Sequence, residues 1–394
     1  MTPAERRPAP AIMLVAGEAS GDLHGASLCR SLKAAAPDAR LFGMGGGRMA
    51  AAGMKLIADI RDSAVIGLSE ALRRLPALHR IYRHLTATLT GERPDVLVLI
   101  DYPGMNLRLA AVARRLGIPV VYFIPPQIWA WRPGRVRTIR NRVSLVLAVL
   151  PFERALYASA GVPVTFVGHP VLDALAIVPD RSAARRELGL DDSALVIGLL
   201  PGSRRQEIER MMPLMRDAAG RIRAAHREAR FAVGLAPTVE REAVARHLDG
   251  GPAAWLLTDH TYTLMRASDL LLVTSGTATL EAALLGTPMV VCYRVSALSE
   301  WVGHLVVRVP WISLPNLVLG RAVVPELVRR RDATAERLAE EALRLLDTPG
   351  ALDGQRSVFK DLAAELGEPG VGARAARLVL SICSGTTANR LVAS

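Results

Sequence analysis

Residues 274–288 combine the residue types that bind a phosphate group. The apolar run of residues 270–273 indicates a buried parallel strand. A small, hydroxyl-rich turn follows it, and then a helix pattern that a glycine and a proline end. The free N–H groups and positive dipole end of such a helix favour an anion, here a phosphate or diphosphate. The candidate ligands are Gly276, Thr277 and Thr279, with Glu281 one turn further on and able to reach a ribose. An ordinary capped strand–helix turn without a ligand is the alternative.

A second candidate anion site follows the apolar run of residues 196–200. The turn holds Ser203 and Arg204, and Arg204 and Arg205 stand at the start of the next helix pattern. Positive side chains at a helix N-terminus oppose the helix dipole. Such an unfavourable local choice indicates that a bound anion compensates it.

Asp101 is the candidate general base. It follows the buried strand pattern of residues 95–100, at the carboxyl end where open α/β sheets collect catalytic groups. Partial desolvation would raise the pKa of this carboxyl group toward the range that suits a base. The alternative is an aspartate that only caps the helix of residues 106–116.

The first glycine turn, residues 17–25, comes between the first strand pattern and the first helix pattern. Its candidate cleft residues are Glu18, Ser20, Gly21 and His24, which with Asp22 could form a polar floor. The turn matches neither a Walker loop nor a dinucleotide GxGxxG fingerprint. A plain helix N-cap by Ser20 or Asp22 is the alternative.

Residues 65–89 form a basic amphipathic pattern. Apolar side chains at helical spacing are surrounded by arginines, and the candidate membrane or acyl-chain contacts are Leu68, Leu72, Leu75, Leu78 and Tyr82. Such a segment lies on anionic lipid or receives acyl chains. A core-packed helix with a solvated basic face is the alternative. Further on, Trp129 and Trp131 stand beside a series of arginines, which suits sugar or lipid contacts, or stacking on RNA.

The elements that position these residues belong to an α/β protein. At 394 residues the chain predicts two domains, and strand, glycine turn and helix restart near residue 196. We expect a first Rossmann-like domain at 1–175, a second at 190–350, and a C-terminal helix and tail at 351–394. The helix should return to the first domain, and the two doubly wound domains should face a central cleft.

The net charge of +12 indicates an anionic partner: phosphates, an anionic membrane face or nucleic acid. The 3 cysteines are scattered and imply no disulfide framework, which indicates a reducing compartment. Residues 1–10 do not form a signal peptide. The best candidate membrane span, residues 302–320, is interrupted by charged residues and prolines, so no transmembrane helix is expected.

Metal chemistry is not indicated. The sequence holds no DxD pair, no HExxH and no CxxC, so no metal-bridged diphosphate and no cofactor are expected. The charge on a leaving diphosphate would then be stabilised by Arg204 and the helix end.

Seven motifs in order resemble the lipid-A-disaccharide synthase family, over residues 12 to 380. They are Gly-Glu-Ala-Ser-Gly-Asp at 17–22, Asp-Tyr-Pro at 101–103 with Asn106, Trp-Ala-Trp-Arg at 129–132, Gly-His-Pro at 168–170, Leu-Pro-Gly-Ser-Arg at 200–204, Ser-Gly-Thr-Ala at 275–278 with Glu281, and Leu-Pro-Asn at 314–316.

The resemblance implies a GT-B fold and an inverting, metal-independent glycosyl transfer. UDP-2,3-diacylglucosamine would donate its sugar to 2,3-diacylglucosamine 1-phosphate, giving a β-1,6 disaccharide 1-phosphate and UDP. Asp101 matches the family's proposed general base. Glu18, Ser20 and Asn316 match other positions that the family is expected to have in the cleft. The positions expected around UDP are Ser203, Arg204, Gly276, Thr277, Thr279 and Glu281.

The resemblance also places the enzyme in the cytoplasm of a Gram-negative bacterium, peripheral on the inner membrane. The anionic surface of that membrane would be its partner, and nucleic acid would not. The family includes a dimer with exchanged C-terminal parts, and the oligomeric state of this chain stays open. The sequence departs from the family at Pro125, where a serine is usual, and at Met105, where phenylalanine is commoner. Another GT-B enzyme acting on UDP-N-acetylglucosamine derivatives, a basic nucleic-acid-binding protein, and a membrane-docked nucleotide-binding protein without catalysis are the alternatives.

Overall fold

Short apolar runs form parallel strands in both halves of the chain, as expected for strands covered on both faces. The computed structural model describes residues 9–62, 68–128, 134–236, 239–248, 254–258, 260–294 and 309–385, with only the backbone of 62, 68–75 and 254–258. The chain divides into two compact units, Met1–Asp173 with Leu366–Ser394, and Ala174–Glu365.

The sheet of the first unit has seven strands in the order β3-β2-β1-β4-β5-β6-β7. Their bounds are β1 (Ala11–Ala16), β2 (Arg40–Gly45), β3 (Lys55–Asp59), β4 (Val96–Ile100), β5 (Val120–Phe123), β6 (Leu145–Ala148) and β7 (Val164–Phe166). The order reverses between β1 and β4, which is the point where open α/β sheets bind ligands. Ala16 pairs with Ile100, so these two strands end at the same level and the turns that follow them are neighbours.

The sheet of the second unit has six strands in the order β10-β9-β8-β11-β12-β13. Their bounds are β8 (Val196–Leu200), β9 (Arg230–Leu235), β10 (Ala254–Thr258), β11 (Leu270–Thr274), β12 (Met289–Cys292) and β13 (Glu326–Leu327). The order reverses between β8 and β11, and Val273 pairs with Leu200. Both candidate anion turns therefore follow strands at the switch point of this sheet.

Helices connect the strands and cover both sheets. In chain order they are α1 (Ala19–Ala35), α2 (Gly47–Ala51), α3 (Leu68–Glu92), α4 (Pro103–Arg115), α5 (Arg135–Arg142), α6 (Pro151–Ser159), α7 (Val171–Leu175), α8 (Arg181–Glu187), α9 (Arg205–Ala225), α10 (Arg241–Ala245), α11 (Thr261–Ala267), α12 (Thr277–Leu284), α13 (Leu314–Leu319), α14 (Ala335–Asp347), α15 (Ala351–Leu366) and α16 (Val371–Cys383), with a 3-10 turn at Ile60–Asp62.

The last described helix returns to the first unit, as expected. A Cβ built on Gly372 of α16 would lie 2.8 Å from the Ser31 hydroxyl oxygen and 2.9 Å from that of Ser27, so α16 packs closely on α1. Asp173 joins the same region, because its carboxylate accepts hydrogen bonds from the N–H groups of Gly370 (2.5 Å), Val371 (3.1 Å) and Gly372 (2.9 Å).

Two segments differ from the expected domain division. Residues 176–189, which fall between the two expected domains, belong to the second unit and contain α8. The side chain of Arg185 is buried there and donates a hydrogen bond to Asp269 at 2.8 Å, a partner that lies 84 residues away in sequence. In the described part of residues 351–394, up to residue 385, there are two helices rather than one, α15 and α16, and they fall almost wholly into different units.

Candidate active site

Asp101 lies directly after β4, at the switch point of the first sheet, in a strained backbone conformation. Asp101 and Tyr102 both have φ of +46°, and Ile124 after the neighbouring strand has φ of +57°. Residues with side chains adopt this region rarely, and persist there only when their surroundings hold them. The Asp101 N–H donates a hydrogen bond to the Ile124 carbonyl at 3.2 Å. This bond connects the two segments of backbone that have positive φ.

Two buried side chains hold the Asp101 carbonyl. The amide of Asn106 donates to it at 2.7 Å, and the hydroxyl of Tyr122 donates to it at 2.7 Å. Burial raises the pKa of Tyr122 well above its ordinary value, and the negative charge of Asp101 adds to this, so the hydroxyl stays protonated. The carbonyl groups of Val15 and Ile100 also accept from Asn106, at 3.4 and 3.2 Å, which ties the ends of β1 and β4 together.

The ring of Tyr102 lies against the backbone of Gly17. A Cβ built on Gly17 would come within 2.2 Å of the Tyr102 ring, so only glycine fits there. Burial, with a smaller contribution from the charge of Glu18, raises the pKa of Tyr102. Glu18 and Ser20 are exposed. The structure therefore brings Asp101, Tyr102 and the start of the first glycine turn to one edge of the sheet.

The rest of the expected polar floor lies inside the unit. Asp22 is buried, and its carboxylate accepts hydrogen bonds from the N–H groups of Gly46 (2.7 Å), Met49 (3.0 Å) and Arg48 (3.2 Å), so it holds the glycine-rich turn of residues 45–47 that follows β2. Gly21 is buried too.

His24 is buried beside a second histidine. Burial lowers the pKa of His24 to about 4 and keeps it neutral at pH 7. Its ring stands edge-on to that of His169, with centroids 6.4 Å apart. Of the four polar residues of this turn, Glu18 and Ser20 are thus exposed, whereas Asp22 and His24 are buried, because sheet packing turns the inner face of α1 away from water.

In the second unit, the turn after β8 contains its own anion. The carboxylate of Glu207 accepts hydrogen bonds from the N–H groups of Ser203 (2.9 Å) and Arg204 (3.2 Å). The Arg204 guanidinium lies 3.7 Å from the same carboxylate and is mostly exposed. Glu207 therefore supplies a negative charge beside Arg204, and Glu209 supplies one to Arg205 through a 3.0 Å ion pair. Glu207 follows Arg204 by three residues, which is the spacing of a capping box. This spacing was the sequence signal from which the hydrogen bonds of Glu207 could have been predicted.

The turn after β11 presents an open helix N-terminus. Gly276 has φ of +156°, which residues with side chains rarely adopt, and no atom lies within 4 Å of a Cβ built on it. Gly276 and Thr277 are exposed, whereas Thr279 is buried. The Thr279 hydroxyl donates to the Gly276 carbonyl at 2.8 Å and accepts from the Leu314 N–H at 3.3 Å. Gly276 and Thr277 are therefore placed to contact a ligand, and Thr279 shapes the turn from behind.

Glu281 lies one turn into α12 and is half-buried. Burial raises the pKa of its carboxyl group to about 7, and the Tyr262 hydroxyl, which donates to it at 3.0 Å, opposes this rise. Glu281 therefore titrates close to neutral pH.

Asn316 is wholly buried and its amide group is fully used within the second unit. Its oxygen accepts from the N–H groups of Val323 (2.7 Å) and Val324 (2.9 Å). Its nitrogen donates to the Val324 carbonyl (3.0 Å) and the Glu326 carboxylate (2.7 Å). Within this unit Asn316 therefore fixes the chain around it.

Comparison with known proteins identifies the family. A family model described as lipid-A-disaccharide synthetase matches residues 12–371. The chain belongs to this family. It is 43% identical over 374 residues to the lipid-A-disaccharide synthase of Myxococcus xanthus, covering 95% of this chain and 97% of that protein. It is 42% identical over 372 residues to that of Geobacter metallireducens, covering 94% and 97%.

Solved structures confirm the predicted GT-B fold. A presumed UDP-N-acetylglucosamine 2-epimerase from Listeria monocytogenes superposes with a TM-score of 0.68 at 15% identity, covering 96% of this chain and 98% of that one. The glycosyltransferase of kitacinnamycin superposes with a TM-score of 0.61 at 17% identity, covering 96% and 100%. The family match also confirms the resemblance seen in the seven motifs.

The amphipathic segment of this lipid-A-disaccharide synthetase family member is a helix, α3, with Pro76 inside it. The side chains of Leu68, Leu72 and Leu75 lie outside the described residues, as do Trp129 and Trp131. Leu78 and Tyr82 are half-buried. Further along α3, three apolar side chains enter the core: Ile81, Leu85 and Leu89. These three positions of the helix therefore follow the core-packed alternative.

Neither a membrane span nor a metal centre is found in the part of the chain that the structure describes. There, no helix is long and apolar enough to cross a bilayer. Nor do three or more histidine, cysteine, aspartate or glutamate side chains among the described residues come together as metal ligands would.

Proposed function

We propose that this chain transfers the diacylglucosamine of UDP-2,3-diacylglucosamine to the 6-hydroxyl of 2,3-diacylglucosamine 1-phosphate. The products are a β-1,6-linked disaccharide 1-phosphate and UDP. The observation that carries the proposal is the position of Asp101, which lies at the switch point of the first sheet with its backbone in a strained, hydrogen-bonded conformation. The family to which the chain belongs supports the substrates.

Asp101 is the general base of this proposal. As the acceptor 6-oxygen attacks the anomeric carbon of the donor, its proton passes to the Asp101 carboxylate. The bond from the anomeric carbon to the diphosphate oxygen breaks on the opposite face, and the anomeric configuration inverts. The hydrogen bonds from Asn106 and Tyr122 to the Asp101 carbonyl support this role, because they fix the backbone from which the carboxylate projects.

The donor site is formed by the two turns of the second unit. Glu207 already accepts hydrogen bonds from the N–H groups of Ser203 and Arg204. We therefore assign the contacts of this turn with the UDP diphosphate to the Ser203 hydroxyl and the Arg204 guanidinium. The N-terminus of α12, at Gly276 and Thr277, supplies N–H groups and a positive dipole end to the diphosphate. The Glu281 carboxylate accepts from the ribose hydroxyl groups.

The acceptor lies beside Glu18 and Ser20, which are exposed next to Asp101 and Tyr102. Gly21 and His24 act behind them, Gly21 through close packing and His24 as a neutral buried group. In this arrangement the 6-hydroxyl of the acceptor and the Asp101 carboxylate lie at the same edge of the first sheet.

We assign the membrane contact to the face formed by α3, α4 and α5. Substrates with acyl chains require access to a bilayer, and this face carries exposed arginines that attract anionic lipid, each contributing about 1 kcal/mol near the surface. They are Arg80, Arg83, Arg108, Arg114, Arg115, Arg137 and Arg140. The proposal places the enzyme on the cytoplasmic face of the inner membrane, where Leu68, Leu72, Leu75, Leu78 and Tyr82 contact lipid or acyl chains.

The deciding experiment measures UDP release from UDP-2,3-diacylglucosamine in detergent, with and without the monosaccharide 1-phosphate and with EDTA. Wild-type protein should release UDP only with acceptor, and EDTA should not prevent it. Asp101→Asn should lose the activity and still bind UDP.

Asp95→Asn is the matched control, because Asp95 stands at the opposite end of the same strand and accepts from the Ala11 N–H at 2.7 Å. It should retain transfer. Acceptor-independent UDP release, or full activity of Asp101→Asn, would contradict the proposal.

A further inference from the structure

We propose that Glu326 is a positioning residue for the donor site, acting through residues 312–316. The inference rests on the proposed function, because it assigns the group that supports the diphosphate-binding end of α12. Glu326 is the first residue of the edge strand β13, and its neighbour Leu327 is buried in the core. Since side chains alternate along a strand, the carboxylate of Glu326 points to the other face.

Four donors converge on the Glu326 carboxylate. Oε1 accepts from the Ser313 N–H (3.0 Å), the Ser313 hydroxyl (2.5 Å) and the Asn316 amide (2.7 Å). Oε2 accepts from the Ile312 N–H (2.9 Å). Hydrogen bonds to a carboxylate are stronger than neutral ones, and Ser313 and Asn316 are wholly buried. Glu326 therefore fixes the start of α13 from one side.

The same segment contacts the N-terminal turn of α12 from its other side. The Ser275 hydroxyl donates to the Ile312 carbonyl at 3.0 Å, and the Leu314 N–H donates to the Thr279 hydroxyl at 3.3 Å. Ser275 and Thr279 flank Gly276 and Thr277, to which we assign the diphosphate. Residues 312–316 thus join the Glu326 carboxylate to the turn that binds the donor.

Asn316 belongs to the same support. Its amide group forms hydrogen bonds with Glu326, Val323 and Val324, and so connects α13 to β13 and the residues before it. The two residues hold one segment in place: the side chain of each takes part in four hydrogen bonds, one of which joins the two side chains.

Glu326→Gln tests the hydrogen bonds without changing the size of the side chain. The amide oxygen of the glutamine can still accept hydrogen bonds at the Oε1 position. Its NH₂ group then faces the Ile312 N–H, and because both groups are donors, the hydrogen bond to Ile312 is lost. We expect UDP affinity, measured by calorimetry, to fall about tenfold, as for a partly buried donor left without an acceptor. The KM for the UDP-sugar should rise while the KM for the acceptor stays unchanged, and hydrogen exchange should accelerate at Ile312 and Ser313.

Thr334→Ala is the matched control in the same unit. Its hydroxyl caps α14 by accepting from the Arg337 N–H at 3.3 Å, so its loss lowers stability without touching residues 312–316. This variant should keep the wild-type affinity for UDP. Equal loss of affinity in both variants would reduce Glu326 to a general stabilising residue and overturn the inference.

The two proposals fail separately. If wild-type protein transfers sugar and Glu326→Gln keeps the affinity for UDP, the inference about Glu326 fails alone. If wild-type protein binds UDP but transfers no sugar, the proposed function fails, and the tenfold change in UDP affinity still decides the role of Glu326.

Discussion

The hydroxyl group of Tyr122 donates a hydrogen bond to the backbone carbonyl of Asp101, at 2.7 Å. This contact joins the end of β5 to the candidate base, whose φ of +46° is otherwise unfavourable. Tyr122 is wholly buried, so the contact holds the backbone of Asp101 without exposing a second titratable group to substrate.

Tyr122→Phe should lower kcat by roughly five- to tenfold, because it removes one buried hydrogen bond of about 1 kcal/mol and lets Asp101 shift. Affinity for UDP should not change. Steady-state kinetics and calorimetry measure the two effects. Ser144→Ala serves as the control, since its hydroxyl accepts from the Val120 N–H at 3.1 Å at the far end of the same strand. Unchanged kcat in Tyr122→Phe would refute the role of this contact.

Gly17→Ala should reduce both stability and transfer. The added methyl group would overlap the ring of Tyr102, and overpacking of this kind costs about 1–3 kcal/mol. Gly104→Ala is the local comparison: no atom lies within 4 Å of a Cβ placed on Gly104, and alanine favours the helix it belongs to. Urea denaturation should show Gly104→Ala at or above wild-type stability. Equal stability of Gly17→Ala and wild type would contradict the packing of Tyr102 on Gly17.

Glu281 should make stability depend on pH. Its pKa is raised from 4.5 to about 7, so the folded protein binds a proton that the unfolded chain releases. Its contribution is fully present below pH 4.5 and is lost as pH rises through about 7. Glu281→Gln removes this dependence, and its stability relative to wild type should increase between about pH 5 and 8, by at most about 3 kcal/mol. Tyr262→Phe removes the donor that lowers this pKa, so the loss of stability in this variant should extend to a higher pH than in the wild type. Parallel curves for wild type and Glu281→Gln would rule the shift out.

Arg185 and Arg181 share the carboxylate of Asp269 and should differ in their effect on stability. The side chain of Arg185 is 2% exposed and that of Arg181 is 38% exposed. Arg185→Ala leaves the half-buried Asp269 carboxylate with fewer partners and removes donors to three backbone carbonyls, so the free energy of unfolding should fall by about 3–5 kcal/mol. Arg181→Ala should cost about 1 kcal/mol. Equal losses in urea denaturation would contradict this ranking.

The strands and turns were predictable because their signals are local. Asp101 and the turn at Gly276 each follow an apolar run, and the carboxyl ends of parallel strands meet at one edge of a sheet. The fold class followed from the same pattern and from the seven motifs. Neither the strand and turn pattern nor the motifs depend on which side chains contact each other in the folded chain.

The partners of polar side chains that lie far apart in the sequence were not predictable. Asp22 binds N–H groups 24 to 27 residues further on, and only the folded chain brings them together. The contact of Tyr102 with Gly17 gives no sequence signal, because a glycine in a turn more often serves the backbone conformation than the packing of a distant ring. Glu326 resembles an ordinary surface glutamate in sequence, although four hydrogen bonds converge on it.

The close packing of α16 on α1 makes the second unit an insertion within the first. During synthesis the ribosome releases all of residues 174–365 before the helix that covers α1 has been made. The second unit can therefore finish folding first, while the first waits with the face of α1 around Ser27 and Ser31 uncovered.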